Sequence, residues 1–346
     1  MIPRAVILGG TGVLGRATVR RLLAANWTID LTGRDPSRMP AALTAAGARF
    51  HAADRHDSAA LARILGDGAD LLVDALCFTA ADARQLTPLL QDVTSTVMLS
   101  SKAVYVDQEG RHSNSERSPH FAVPIREDHP TMSPSDADYN SREGYGANKV
   151  AAEQVLLDSG LPVTVIRPSK VHGEGAARPR EWMFVKRVLD RRPAVFLAHR
   201  GEGTDHTTAA VNTAALIERI AAVPGRRVLN SADPDAPSGL EIARTIAGYL
   251  GHEWDEILLN DDAEPDLGRH PWDARPPIIL DTTASLDLGY VPVGSYAQAV
   301  PAALDWLVEA ARAGVVPGTE DPFFAPLLDY AAEDRYLLRS AMGTYS

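Results

Sequence analysis

The sequence predicts an α/β protein built on a doubly wound parallel sheet, and three observations carry that prediction. Short apolar or β-branched runs alternate with helical periods along residues 1–175. The first run passes into a helix through the glycine-rich stretch Val6-Ile-Leu-Gly9-Gly-Thr11-Gly12-Val13-Leu14-Gly15. A later run, Asp70 to Phe78, is apolar almost throughout, as expected of a parallel strand covered on both faces.

Ala5 to Leu8 forms the first predicted strand, and Arg16 to Ala25 the first helix, with Val19, Leu22 and Leu23 on its apolar face. Between them Gly9 permits a tight turn, Gly12 lets backbone approach a pyrophosphate, and Gly15 lets helix and strand pack closely. Thr11, Val13 and Leu14 complete a loop whose free N–H groups point toward phosphates. The competing reading is a strand-to-helix turn that binds nothing; the strand before it and the helix after it favour a dinucleotide clamp. Thr28 to Thr32 is a second strand, ending in Gly33-Arg34-Asp35-Pro36-Ser37-Arg38, where such a sheet meets an adenosine ribose. A guanidinium there makes paired, charge-assisted bonds to a 2′-phosphate, so Arg34, with Arg38 in reach, points to NADP. The alternative is NAD, with Asp35 on the ribose hydroxyls. Ala48 to Ala53 reads as a third strand with Asp54 at its end, where an adenine would lie, and a helix follows over Ser58 to Leu65. Beyond the apolar run come a helix from Ala80 to about Leu90 and a fifth strand, Thr96 to Ser100. That strand delivers Ser101 and Lys102 at its carboxyl end, the edge where open α/β sheets bind ligands.

Gln108 to Glu143 has little apolar period and is too long for an ordinary connection, which marks a lid or a disordered segment. The helix after it, Glu143 to Leu157, carries Tyr145 and Lys149, four residues apart and therefore on one face. An ammonium near a phenol favours the phenolate. The pair thus offers a general acid/base for carbinol chemistry, with the Ser101 hydroxyl to bind the substrate oxygen. An amphipathic helix carrying an accidental pair is the plainer alternative.

Taken together, the glycine trio, Ser101 before Val-Tyr, Tyr145-xxx-Lys149 and the strand Val163-Thr-Val-Ile-Arg-Pro168 resemble the extended short-chain dehydrogenase/reductase family, in its NAD-dependent epimerase/dehydratase group. The resemblance implies a Rossmann sheet with Tyr145 as catalytic acid/base, Lys149 favouring its phenolate and binding the nicotinamide ribose, and Ser101 as substrate-oxygen donor. It also implies that Pro168 borders the cofactor and that the chain dimerises through the Tyr145 helix and the one before it. Three departures stand out. Asp74-Ala-Leu-Cys77 replaces the small-residue turn usual after strand four, and Lys102 stands where the dehydratases keep an acidic residue, which disfavours dehydration. Lys170 replaces an asparagine found in several sugar-nucleotide enzymes.

The division expected is residues 1–171 for the dinucleotide-binding part, with a return near 206–233, and 172–205 plus 234–346 for a smaller substrate lobe and tail. Arg178 and Arg180 are the expected partners of a substrate diphosphate, beside Lys102 and Lys170. Arg187, Arg191 and Arg192 read as the solvated face of a helix. Ser238 to Leu250 is an amphipathic helix with Ser238 as N-cap and Gly251 as its stop, and Val300 to Ala311 is another. The aromatic-rich tail from Thr319 is expected to pack on the body or on a partner.

Composition sets the outer bounds. The 346 residues are 45% hydrophobic, with a formal net charge of −11, which suits a globular protein and argues against nucleic acid as a partner. The single cysteine, Cys77, reads as core. No uncharged apolar run reaches membrane-spanning length and the first strand follows Met1 almost at once, so a cytoplasmic protein is expected. The ten histidines lack zinc-site spacing, so no metal is expected. Three functions stay open: an NADP(H)-dependent oxidoreductase or epimerase acting on a nucleotide-linked sugar, an NADPH-dependent ketone reductase of specialised metabolism, and a cofactor-sensing or RNA-associated protein without turnover.

Overall fold

Seven parallel strands form one sheet in the computed structural model, which describes residues 2–264, 266–316 and 318–343. The chain alternates β1 (Arg4–Leu8), α1 (Val13–Ala24), β2 (Thr28–Gly33), α2 (Ala41–Ala45), β3 (Arg49–Ala52), α3 (Ser58–Leu65), β4 (Ala69–Asp74), α4 (Ala80–Leu86) and β5 (Val93–Leu99). It continues through α5 (Arg142–Asp158), β6 (Val163–Pro168), β7 (Lys170–His172), α6 (Trp182–Leu189), β8 (Ala194–Leu197), β9 (Thr207–Ala209), α7 (Ala210–Ala222) and β10 (Arg227–Ser231). The sheet order β3-β2-β1-β4-β5-β6-β10 reverses direction beside β1, so the ends of β1 and β4 splay apart and open a crevice there. Alternate residues of β1 feed opposite cores: Ala5 and Ile7 pack with Val19 and Leu22 of α1 and Ile217 of α7, whereas Val6 and Leu8 pack with Leu61, Ala83 and Leu156 from α3, α4 and α5.

A third core, from Phe184, Leu197, Ile246, Trp272 and Leu304, organises a smaller lobe. It is built on α6, β8, α8 (Gly239–Leu250), β11 (Asp255–Leu258) and α11 (Pro301–Arg312), with the short helices α9 (Thr283–Asp287) and α10 (Tyr296–Ala299) between. Ser238 caps α8 in a reciprocal box with Glu241, and Gly251 ends it in the left-handed conformation, φ 67°. The tail returns as α12 (Tyr330–Gly343), after Phe324 and Leu327 have entered the third core.

Three expectations change. The apolar run 70–78 is a strand only to Asp74, because that buried carboxylate accepts from Arg55 at 2.8 Å and from the Leu76 N–H at 2.8 Å, which bends the chain out of the ladder. The helix after it stops at Leu86, where Thr87–Asp92 tightens into a 3-10 turn opening at Pro88. Arg187 is not on a solvated face: it is buried, paired with Glu333 of α12, and donates to the Leu327 carbonyl at 2.8 Å. Arg192 also reaches Glu333, at 3.2 Å, which leaves Arg191 as the exposed member of the three. The long segment 108–143 is tied to the body by Phe121 and Ile125, which pack with Tyr105 and Val150.

Candidate active site

The glycine turn between β1 and α1 has the conformation its sequence requires. Gly9 holds φ at +80°, and the Gly12 N–H donates to the Gly9 carbonyl at 3.1 Å. A Cβ on Gly15 would lie 2.6 Å from the Cα of Gly10, so only glycine lets α1 start here. No side chain caps α1 at Gly12, which leaves the first-turn N–H groups of Val13, Leu14 and Gly15 free. These residues floor a cavity of about 570 Å³. An uncapped helix N-terminus opening on a cavity fits the diphosphate of a dinucleotide.

The end of β5 forms the next wall. Ser101 caps the turn Lys102–Val104, its Oγ accepting from the Ala103 N–H at 3.1 Å. Behind it Ser100 donates to the buried Glu153 carboxylate, which also accepts from Arg167 at 2.5 and 3.1 Å. The Arg167 guanidinium lies 4.9 Å from the Tyr105 ring, so β5, α5 and β6 are locked together at their cavity ends.

Tyr145 and Lys149 enter from α5. A Cβ on Gly146 would lie 2.4 Å from the Ala103 carbonyl oxygen, so glycine beside Tyr145 is what lets the helix reach the Ser101 turn. Lys149 is buried, and its Nζ donates to the carbonyls of Cys77 (2.8 Å) and Leu99 (2.9 Å). It stands 4.3 Å from the Phe78 ring centroid and 6.0 Å from that of Tyr145. Cys77 serves through its backbone; its buried thiol is pushed far above the usual range by desolvation. Phe78 stacks in turn on Tyr139 of the long segment, centroids 5.5 Å apart, and Ser113 and Asn114 of that segment reach the cavity.

The remaining wall is cationic. Lys102, Lys170 and Arg180 border the cavity with Pro168 and Asp205. Asp205 pairs with Lys102 through one carboxylate oxygen and with Lys170 through the other, at 3.0 Å. Burial, with Arg180 nearby, pushes Lys170 down to about 7. Burial beside Lys170 and Arg180 drives Lys102 well below the ordinary lysine range.

Ser101, Tyr145, Lys149, Gly9, Gly12, Val13, Leu14, Gly15, Pro168, Lys102, Lys170 and Arg180 are therefore brought to one cavity. Others are not. Arg34 and Arg38 are exposed on the turn after β2, and the Thr11 carbonyl accepts from Arg16 Nε at 2.8 Å. The Asp35 carboxylate accepts from the Ser37 N–H and hydroxyl at 2.9 and 2.7 Å. Asp54 is exposed and accepts from the His56 N–H at 2.8 Å. Arg178 points away from the cavity, paired with Asp321 and 5.1 Å from the Phe323 ring, because the returning tail supplies both partners. Sequence reasoning missed Asp205, Phe78, Ser113 and Asn114; only the position of Phe78 just beyond β4 was a usable signal. The unusual turn after β4 also has a consequence: the Leu76 side chain presses on Gly9, where an added Cβ would lie 2.8 Å from its Cγ.

Residues 5–204 match the family model described as NAD dependent epimerase/dehydratase family. In sequence, no curated protein matches the chain. In structure, the fold resembles UDP-glucose 4-epimerase from Thermotoga maritima, solved with UDP-glucose: TM-score 0.66 at 15% identity, covering 89% of this chain and 99% of that one. It resembles dTDP-glucose 4,6-dehydratase from Bacillus anthracis, solved with NAD: TM-score 0.66 at 13% identity, covering 90% and 98%. It also resembles UDP-N-acetylglucosamine 4-epimerase from Methanobrevibacter ruminantium, solved with UDP-N-acetylmuramic acid: TM-score 0.66 at 16% identity, covering 89% and 99%. At these identities the likeness is one of fold. Among the described residues no helix is long and apolar enough to cross a membrane.

Proposed function

We propose, from the premise that this chain belongs to the NAD-dependent epimerase/dehydratase family, that it is an NADP(H)-dependent oxidoreductase or epimerase. In this reading it transfers hydride at a carbinol or ketone carbon of a nucleotide-linked sugar. The enzyme class and the nicotinamide cofactor come with the family; the 2′-phosphate, the three catalytic roles and the sugar are inferred. The observation that carries the reading is that Ser101, Tyr145 and Lys149 share one cavity with the glycine turn.

A bound nicotinamide supplies or accepts the hydride. The Ser101 hydroxyl holds the substrate oxygen, and Tyr145 takes the proton from that oxygen in oxidation and returns it in reduction. Lys149, fixed by two carbonyls, is held with its Nζ 6.0 Å from the centroid of the phenol ring, in reach of a nicotinamide ribose. Support for NADP over NAD comes from the turn after β2. Asp35 is engaged with Ser37, while Arg34 and Arg38 stay exposed at the position where a 2′-phosphate would lie. Support for a nucleotide-linked sugar comes from the structural neighbours solved with UDP sugars. A second reading, an NADPH-dependent ketone reductase, gains from Arg178 being engaged with Asp321, since Arg180 then faces a diphosphate without it.

The test is Tyr145→Phe, assayed by nicotinamide absorbance over a panel of nucleotide sugars and ketones, with NADP binding followed by calorimetry. Turnover should fall by about 10²–10⁴ with cofactor affinity kept. An unchanged rate overturns the assignment of Tyr145, and cofactor binding without turnover of any substrate by the parent protein favours the sensor.

A further inference from the structure

The cationic wall is not explained by the requirements of the fold. Four positively charged side chains border the cavity, Lys102, Lys149, Lys170 and Arg180, and Asp205 is the one carboxylate among the described residues that does so. Lys149 is taken up by the carbonyls of Cys77 and Leu99. Asp205 answers Lys102 and Lys170 together. Arg180 makes no ion pair among the described residues, and donates only a long bond, 3.3 Å, to the Val171 carbonyl. Two lysine amines and a guanidinium thus face a single carboxylate. Lys102 and Asp205 are both nine-tenths buried or more, where unbalanced charge is costly. The cofactor phosphates do not supply the balance: the free N–H groups that suit them are at the start of α1, whereas the cations sit at the end of β5, at the start of β7, in the loop before α6 and, through Asp205, ahead of β9.

We propose that the substrate carries an anionic substituent, a carboxylate or a phosphate, next to the carbon that exchanges hydride. Lys102, Lys170 and Arg180 form its subsite, and Asp205 holds the two lysine side chains in place until that anion displaces it. Lys102 directly follows Ser101 and both line the same cavity, so an anion held by Lys102 shares that space with an oxygen held by Ser101. The inference rests on the proposed function only in taking Ser101 as the residue at the reacting carbon; the nucleotide plays no part in it.

The experiment is calorimetric titration of the NADP⁺-loaded protein with matched pairs: UDP-glucuronate and UDP-glucose, glucuronate and glucose, glucose 6-phosphate and glucose. In at least one pair the charged member should bind at least tenfold tighter. Lys170→Met and Lys102→Met should abolish that preference, and Asp205→Asn, which removes the competing carboxylate, should increase it severalfold. The opposite sign of the Asp205 variant separates a ligand subsite from a structural ion cluster. A carboxylate preference in place of a phosphate preference identifies the substituent. If the free sugars show the preference while neither UDP sugar binds, the subsite stands and the nucleotide-sugar reading falls. If both UDP sugars bind equally in the parent and in all variants, and neither of the other pairs shows a preference, the subsite is overturned and the nucleotide reading survives. A preference absent from every pair, or retained in both lysine variants, overturns the subsite.

Discussion

Two substitutions in the glycine turn, Gly12→Ala and Gly15→Ala, should separate its structural role from its role toward the cofactor. At Gly15 a Cβ would stand 2.6 Å from both the Gly10 Cα and the Gly9 carbonyl oxygen. Both are backbone atoms of a tight turn and cannot swing aside. An overpacking cost of about 1–3 kcal/mol follows, so the midpoint of urea unfolding should fall. At Gly12 the nearest atom to an added Cβ is the Gly9 carbonyl oxygen at 3.6 Å, and the backbone, φ −79° and ψ 172°, suits alanine. Stability should therefore be unchanged in the absence of cofactor. The new methyl would nevertheless project over the uncapped start of α1 and hold a phosphate off its N–H groups. Losing one charge-assisted hydrogen bond costs about 1.5–3 kcal/mol, which is roughly a ten- to hundredfold weaker Kd for NADP by calorimetry. A Gly12→Ala protein that binds NADP as tightly as its parent would show that no diphosphate approaches this turn, and the cofactor assignment would have to move elsewhere.

Three further outcomes follow from the same geometry. Arg34→Ala should weaken NADP about tenfold while leaving NAD unchanged, since it removes a bond made only to the 2′-phosphate; equal losses for both cofactors would contradict that contact. Arg187→Ala leaves the buried Glu333 with Arg192 as its remaining partner and should destabilise the fold by about 3 kcal/mol in urea, whereas a change within about 0.5 kcal/mol would mean the tail adds nothing to the smaller lobe. The Lys170 penalty should be visible in the pH dependence of stability. Its folded pKa of about 7 lies below the ordinary 10.5, so the unfolded chain binds the extra proton between those values. Unfolding free energy should then rise with pH across that window, with the penalty complete below pH 7, and Lys170→Met should flatten the slope. Asp205, Lys102 and Arg180 face this ammonium and would remain in the variant. An unchanged slope would mean that Lys170 titrates as it does in water.

What was legible in the sequence is what a single element or its immediate neighbours dictate. The spacing of Tyr145 and Lys149 fixes them to one helical face whatever surrounds that helix, and the strand–glycine–helix pattern at Gly9 to Gly15 leaves the backbone few alternatives. The parallel, doubly wound character of the sheet followed from the βαβ alternation, whereas the order of its strands comes from the tertiary structure. The caps of α8 at Ser238 and Gly251 were local enough to read directly. Ion-pair partners were not, since they depend on where distant parts of the chain return. Arg187 and Glu333 lie 146 residues apart, and nothing local to Arg187 distinguishes a buried arginine from a solvated one. Arg178 was drawn out of the cavity by Asp321, 143 residues away, and Asp205 was brought between Lys102 and Lys170 by the loop ahead of β9. The sequence by itself thus determined the sheet, the glycine turn and the spacing of Tyr145 and Lys149, which are properties of short-range backbone geometry. The tertiary structure alone decided which charges meet in the cavity, because charge balance in a buried space is set by packing between segments far apart in the chain.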